Sequence, residues 1–217
     1  MRPSLIIFLL LSSILLLPGC AISRYKRLSY DKTVLHERDL APVLPVSGMV
    51  KYKASIDVLK NHLTGLLIVK KTDSLATRIV FVTELGMKMF DFEAAGDSIR
   101  AVYVFDPLNK PLMVDALKRN FNNLLLMNAY GQETGKNTKG NTQIYEVRHA
   151  KSRRYYTVQD TNTHALRWQE TFHKRKRESR TTYTYDTTTG LYSHIKTKQY
   201  GLIKFYFELN TINPSHD

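Results

Sequence analysis

Two carboxylates, Asp91 and Glu93, stand two residues apart in a stretch that alternates between apolar and polar side chains. Residues two apart on a strand point to the same face. A pair of carboxylates on one face is the arrangement with which glycosidases transfer protons. The solvated face of an ordinary strand carries such residues as well, so the pair leaves two interpretations: a hydrolytic site or a polar strand surface.

Other patterns typical of catalysis are missing from the sequence. It contains no Gly-x-Ser-x-Gly, His-Glu-x-x-His, P-loop or dinucleotide-binding glycine pattern. The histidines are scattered, without the spacing of metal ligands: His36, His62, His149, His164, His173, His194 and His216. We therefore expect no catalytic residues, no metal and no cofactor. A hydrolase whose site is assembled from distant residues is the least favoured alternative.

The only cysteine, Cys20, has the best-defined chemistry in the chain. It follows a short positively charged start and the apolar run Leu5–Leu17, which is too short to span a bilayer comfortably and is typical of a secretory signal. The ending Leu-Pro-Gly-Cys resembles a bacterial lipobox, which implies a signal peptide over residues 1–19 and acylation of Cys20. An ordinary signal peptide, or a short membrane helix with a chance cysteine, is the alternative. Two or more acyl chains would form a stable anchor.

The residues after Cys20 bear on the compartment. An Asp directly after the cysteine retains lipoproteins at the inner membrane of well-studied proteobacteria, whereas this chain has Ala21. No acidic run of the kind that marks surface export follows. We therefore expect the periplasmic face of the outer membrane. Residues 20–45 mix charges with prolines and are interpreted as a lipidated tether, with a short helical piece around Tyr30–Glu37. Residues 46–217 are interpreted as one domain.

The chain is strongly basic, with a formal net charge of +13. The export signal argues against a nucleic-acid partner and favours lipid headgroups, anionic glycans or acidic proteins. The densest basic run contains Lys174, Arg175, Lys176 and Arg177. Two interpretations are open for this run, a solvated hairpin and a membrane-facing patch. Nothing in the sequence fixes the oligomeric state, and a monomer is expected.

The elements that position these residues are mostly strands. Five segments between residues 46 and 106 have strand alternation and short turns, which requires antiparallel neighbours. An amphipathic helix is predicted to begin at Pro111 and to end before Gly131. Residues 131–143 are predicted to be a polar loop, and six further strands follow up to residue 210. The sequence thus predicts a mainly β domain with one strong helix.

This order of elements behind a lipobox resembles the LolA/LolB fold, a single antiparallel sheet curled into an open half-barrel with a helical lid. The best local match is "VFVTELGMKMFDFE", in which a Leu-Gly turn joins two apolar strands. In the LolB family, a leucine at this turn protrudes and is implicated in membrane targeting or insertion. The resemblance implies that role for Leu85 and Gly86, although Glu84 replaces the family's proline. It also implies an outer-membrane lipoprotein that receives lipoproteins from a soluble periplasmic LolA-like carrier.

A curled sheet of this kind would have an apolar trough for acyl chains, covered by the helix. The candidate residues of the trough are Tyr52, Ile68, Phe81, Phe90, Tyr103, Phe105, Leu117, Phe121 and Leu125. The same residues would equally fill a packed core. The leading hypothesis is therefore a non-enzymatic, lipid-anchored protein that accepts lipoproteins or another lipid cargo. The alternative is an accessory lipoprotein of the same fold with a filled interior, which binds a protein or a polysaccharide.

Overall fold

A computed structural model describes residues 23–41, 43, 48–73, 76–96, 98–127, 129–149, 152–200 and 204–212. These residues form thirteen strands: β1 Asp31–Val34, β2 Met49–Val58, β3 Asn61–Asp73, β4 Ala76–Thr83, β5 Lys88–Ala95, β6 Ser98–Val104, β7 Glu133–Lys139, β8 Thr142–His149, β9 Arg153–Asp160, β10 Leu166–His173, β11 Lys176–Asp186, β12 Leu191–Gln199 and β13 Phe205–Thr211. The helices are α1 Ser23–Lys26 and α2 Pro111–Leu124, and short 3₁₀ turns cover Glu37–Asp39 and Asp106–Leu108. The signal peptide, Cys20 and Ala21 lie outside the described residues.

All thirteen strands belong to one antiparallel sheet made of two meanders. The first meander runs from β2 to β6, the second runs from β7 to β13, and the two join where β13 pairs with β2. Strand β1 adds to β7, so β1 and β6 are the edges and the sheet does not close. The expected fold class, a mainly β open antiparallel sheet with a helix, is confirmed.

Alternation of side chains produces the strands, as the sequence predicted. In β2, Tyr52, Ala54 and Ile56 are buried while Lys51 and Lys53 are exposed, which is the pattern of a strand with one face in the core. We call the face that carries α2 the inner face of the sheet and the opposite one the outer face.

One glycine allows two strands to approach closely. A Cβ atom built on Gly65 in β3 would lie 2.1 Å from the carbonyl oxygen of Val82. No other residue type fits there without a shift of backbone, so Gly65 sets the close contact between β3 and β4.

Helix α2 begins at Pro111, where the missing backbone N–H leaves no helical hydrogen bond unmade. One face of the helix is buried, comprising Met113, Val114, Ala116, Leu117, Asn120, Phe121 and Leu124. The helix ends several residues before Gly131, because Leu126 adopts a left-handed backbone conformation with φ of 56°. The predicted start of the helix is confirmed.

The predicted loop over residues 131–143 is wrong, since most of it is strand β7 and the start of β8. Strand β7 contains few apolar residues, so its sequence does not indicate a strand. It is a strand because its backbone pairs on both sides, with β1 and with β8. The tether prediction is wrong for residues 23–41, which pack against the sheet. The helical piece expected around Tyr30–Glu37 is instead β1 followed by the start of a 3₁₀ turn.

Candidate functional site

The inner face of the first meander is an apolar wall covered by α2. Five of the nine predicted trough residues are fully buried there, with exposed fractions of at most 1%. They are Tyr52, Phe81, Phe90, Leu117 and Phe121. Burial also raises the pKa of the Tyr52 phenol to about 12, so this residue is neutral at physiological pH and compatible with an apolar wall.

Aromatic rings fill the space between this wall and the helix. The Phe90 ring stacks on Phe81 and Phe92, with centroids 5.4 and 4.9 Å apart respectively. From the helix, the Phe121 ring lies 5.7 Å from Phe90, 6.1 Å from Phe92 and 6.1 Å from Phe207. In the described conformation, therefore, the apolar side chains of α2 fill the space of the predicted trough.

The other four predicted trough residues lie elsewhere. Ile68 pairs with Lys51 and Val80 on the outer face, one residue out of phase with buried Leu67. Phe105 and Leu125 are partly buried and pack against the edge of the core.

Tyr103 is also on the outer face, 43% exposed. The register of β5 against β6 shifts at Val102, which has no partner. This bulge reverses the alternation, so Val104 takes the inward position expected for Tyr103. The inclusion of Ile68 and Tyr103 in the trough was wrong.

Part of the inner face of the second meander, across strands β9 to β12, is a polar wall that the sequence analysis missed. Its buried residues include Thr157, Gln159, Gln169, Thr171, Ser179, Thr181 and Thr197. Thr181 and Thr197 share a hydrogen bond of 2.8 Å between their hydroxyls. From the helix, the buried Asn120 donates through Nδ2 to Oε1 of Gln199 at 2.9 Å. Polar residues at every second position of "YYTVQD", Thr157 and Gln159, were the available signal. One face of the helix thus contacts an apolar wall and a polar wall.

The β4–β5 turn presents the leucine that the sequence singled out. Leu85 is 93% exposed, and Met87 beside it is 46% exposed. The turn is held by Thr83, whose carbonyl oxygen accepts from the Gly86 N–H at 2.9 Å and whose hydroxyl accepts from the Met87 N–H at 3.1 Å. Gly86 has φ of 81°, which favours glycine. The protruding position predicted for Leu85 is therefore present without the family's proline.

The basic run forms the β10–β11 hairpin. Lys174, Arg175 and Lys176 are exposed at its tip. Arg177 instead turns toward the sheet, where its Nε lies 3.2 Å from Oε1 of Glu170. Three of the four predicted patch residues thus face solvent, and the fourth neutralises a buried carboxylate.

The strand register places both turns at one end of the sheet. Alternate turns of an antiparallel meander share an end, so the β2–β3 and β4–β5 turns lie together. Strand β13 starts beside the end of β2, at the pair Phe205 and Val58. The β12–β13 turn, which precedes β13, therefore lies at that end. The β10–β11 turn is the next alternate turn of the same meander, so it lies there too. We call this end, which carries exposed Leu85 and the Lys174–Lys176 tip, the loop rim.

The N-terminal segment docks on the outer face of the second meander. The Tyr25 ring stacks on Tyr156 with centroids 4.0 Å apart. The Tyr25 hydroxyl donates to Oε2 of Glu170 at 2.6 Å. Glu170 is fully buried and also lies 2.5 Å from Nη2 of Arg24 and 3.5 Å from Nη1 of Arg180. Burial raises the pKa of Tyr25 above its ordinary value, so its proton stays available for this bond.

The two carboxylates Asp91 and Glu93 lie on the outer face in a network of ion pairs. Arg78 donates to Asp91 through Nε at 2.9 Å and through Nη2 at 2.5 Å, and its Nη1 lies 3.6 Å from Glu93. A hydrogen bond from Arg100 lowers the pKa of Glu93. Both carboxylates are thus paired with arginines, and the arrangement is that of a strand surface.

Within the described residues, no helix has the combination of length and apolar composition needed to cross a bilayer. The same part of the chain contains no group of three or more acidic, histidine or cysteine side chains arranged to hold a metal ion.

Comparison with solved structures places this architecture among known folds. A LolA superfamily protein from Nitrosomonas europaea superposes with a TM-score of 0.51 over 81% of this chain and 89% of its own, at 6% sequence identity. The chain has a LolA-like fold. At this identity the LolA-like similarity concerns the fold alone.

Two further structures are similar to a lesser degree. A DUF1329 family protein from Desulfovibrio piger has a TM-score of 0.46 and 11% identity, over 77% of this chain and 85% of its own. A putative outer membrane lipoprotein-sorting protein domain from Vibrio parahaemolyticus has a TM-score of 0.41 and 9% identity, over 76% and 84%. Comparison of the sequence with protein-family models finds no match, and neither does comparison with curated proteins.

Proposed function

We propose that this chain is a non-enzymatic, lipid-anchored protein of the periplasmic face of the outer membrane that binds acyl chains on its inner face. It would accept lipoproteins, or another lipid cargo, from a soluble periplasmic carrier and release them to the membrane. The observation that supports this function best is the cover of the apolar wall. A single helix of 14 residues lies over the rings of Phe81, Phe90 and Phe92, where many globular folds place a second layer of sheet.

Binding would be an exchange of one apolar surface for another. Lifting α2 exposes Met113, Leu117, Phe121 and Leu124, which are each at most 2% exposed. At about 1.5–3 kcal/mol for each side chain, the cost is roughly 6–12 kcal/mol. An acyl chain that buries a dozen methylenes returns about 10 kcal/mol at roughly 0.8 kcal/mol each. The two terms are similar in size, so binding and release would both be accessible.

The loop rim supplies the proposed contact with the membrane. Leu85 and Met87 expose apolar side chains at this rim, and apolar residues that protrude in this way favour the bilayer interface. The Lys174–Lys176 tip at the same rim would attract anionic headgroups at about 1 kcal/mol for each cation near the surface. Apolar insertion and electrostatic attraction would therefore act at the same end of the molecule.

The test is saturable uptake of a fluorescent fatty acid by the full chain in a non-ionic detergent, with displacement by unlabelled fatty acid. We expect one saturable site. The control is Trp168→Phe, which changes an aromatic residue on the outer face and should leave uptake unchanged. Uptake that rises linearly with fatty acid, with no displacement, would contradict the proposal.

One observation favours a second candidate, an accessory lipoprotein with a filled interior. Phe121 already contacts three rings of the sheet, and its exposed fraction is 1%. If the energy of that packing exceeds what an acyl chain returns, α2 stays closed and the domain binds a protein or polysaccharide through its surface. The absence of saturable fatty-acid uptake would select this candidate.

A further inference from the structure

A small polar cleft lies at the loop rim, between α2 and strands β9 to β12. Its volume is about 60 Å³. Its floor is a row of residues that face one another across four neighbouring strands. The row consists of Tyr155, Thr171, Ser179 and Gln199. The helix contributes Arg119 and Asn123 to the opposite side.

Thr171 in this floor has an unsatisfied hydroxyl. Its side chain is 3% exposed, and its Oγ1 has no hydrogen-bond partner among the described residues. An unpaired buried hydroxyl lowers stability and is uncommon in folded proteins. Among the residues that line the cleft, Thr171 is the one whose buried polar atom lacks such a partner.

The charges at the cleft leave one cation in excess. Arg153 donates to Glu178 through Nε at 2.8 Å and through Nη2 at 3.3 Å, so this carboxylate is neutralised. Nδ1 of His173 also lies 4.0 Å from Glu178. Arg119 is exposed and forms no ion pair with any acidic residue of the described chain. The cleft thus combines an available guanidinium with hydroxyl and amide donors.

We infer that this cleft binds a phosphate group, and that the cargo of the inner face is a phosphate-bearing lipid. This inference rests on the proposed function in so far as the phosphate and the acyl chains belong to one molecule. Guanidinium, hydroxyl and amide donors match phosphate oxygens. The polar wall holds the headgroup while the apolar wall holds the chains. Because the cleft lies at the loop rim, a headgroup at the membrane surface reaches it directly.

Two substitutions test the cleft without disturbing the core. Arg119→Gln removes the available cation from the exposed side of α2. Thr171→Val replaces the unpaired hydroxyl with a methyl group of the same shape. A ligand role for the hydroxyl predicts that Thr171→Val unfolds at higher urea than the parent protein yet binds phosphate-bearing lipid more weakly. A purely structural role predicts the first effect without the second.

The experiment is calorimetric titration of the full chain in one non-ionic detergent, so that partitioning into micelles is common to all proteins. The probes are dihexanoyl phosphatidylglycerol, dihexanoylglycerol and inorganic phosphate. We expect the phospholipid to bind about tenfold more tightly than the diacylglycerol, and each of the two substitutions to remove most of that difference. Arg38→Gln, which changes an exposed arginine of the 3₁₀ turn Glu37–Asp39, should retain it.

The three probes distinguish a lipid headgroup from a free phosphate ion. They also test the phosphate site separately from the proposed acyl-binding function. Tight binding of inorganic phosphate that is lost in Arg119→Gln, with no difference between the two lipids, would overturn the lipid-headgroup assignment in favour of a free anion. Equal binding of both lipids by all variants would overturn the inference and leave acyl binding intact. Binding of neither lipid, with phosphate bound, would refute the proposed function and keep the cleft as an anion site.

Discussion

The substitution Phe121→Ala tests whether α2 is a lid over a lipid site or an ordinary core helix. Phe121 is 1% exposed and contacts the rings of Phe90, Phe92 and Phe207. Its truncation should lower the free energy of unfolding by about 3–5 kcal/mol. Apolar cavities of about 150 Å³ stay dry and bind small hydrocarbons, so the vacated space becomes available to an acyl chain that lies along the wall.

The gain in affinity follows from the length of chain that the vacated space can take. About four methylenes fit where the ring was, and at roughly 0.8 kcal/mol each they contribute about 3 kcal/mol. That corresponds to about a hundredfold tighter binding of a fatty acid. The variant should also recover much of its lost stability when fatty acid is added, because the ligand binds the folded state alone.

Phe172→Ala is the matched control. Phe172 is fully buried in the cluster on the outer face, where its ring lies 6.1 Å from Tyr25 and 5.7 Å from Tyr156. Its truncation should cost a similar free energy of unfolding without tighter fatty-acid binding. Both variants are compared by urea unfolding and by displacement of a fluorescent fatty acid. An equal gain in both, or a gain in neither, would refute the assignment of the inner face as an acyl site.

Three further predictions follow from the described contacts. Leu85→Glu should leave the unfolding midpoint unchanged, because the side chain is 93% exposed. It should abolish membrane delivery in a depletion–rescue assay, and unchanged delivery would argue against a membrane contact by the β4–β5 turn. Tyr25→Ala should lower the free energy of unfolding by about 3 kcal/mol and should expose residues 23–41 to limited proteolysis, whereas resistance equal to the parent would contradict the docking. Asp160 accepts hydrogen bonds from the backbone N–H groups of Thr163 and Asn162 and from Arg167, which hold its pKa below the ordinary value of 3.8. Its contribution to stability is therefore present above about pH 4 and is lost as the pH falls through the lowered pKa. Asp160→Asn keeps the acceptor but not the charge and should flatten the pH dependence of unfolding in that range, which urea titrations at several pH values would measure.

Much of the fold could be predicted because alternation and helical periodicity are local signals. The stretch "RRYYTVQD" was predicted as a strand and is β9 residue for residue. The start of α2 at Pro111 was equally clear, since proline and an apolar face of helical spacing coincide there. The position of Leu85 followed from two apolar strands joined by a Leu-Gly turn.

The features that the sequence did not predict depend on partners distant in the chain. The bulge at Val102 has no local signature, because "SIRAVYV" alternates without a break and the shift exists only in the register against β5. Strand β7 is stabilised by its two neighbours rather than by its own side chains. The docking of Tyr25 required Glu170, which is 145 residues away. The polar wall was missed because its threonines also suit the solvated face of a strand.

The position of β13 in the sheet has a consequence for how the molecule is assembled. Each meander can form from neighbouring hairpins, but the seam between them requires β13 to pair with β2, for example Phe207 with Ile56. Until that pairing forms, β2 exposes an unpaired edge, a template for association with other chains. Pairings so distant in sequence form slowly. The chain would therefore need protection from association with other chains until β13 has paired with β2.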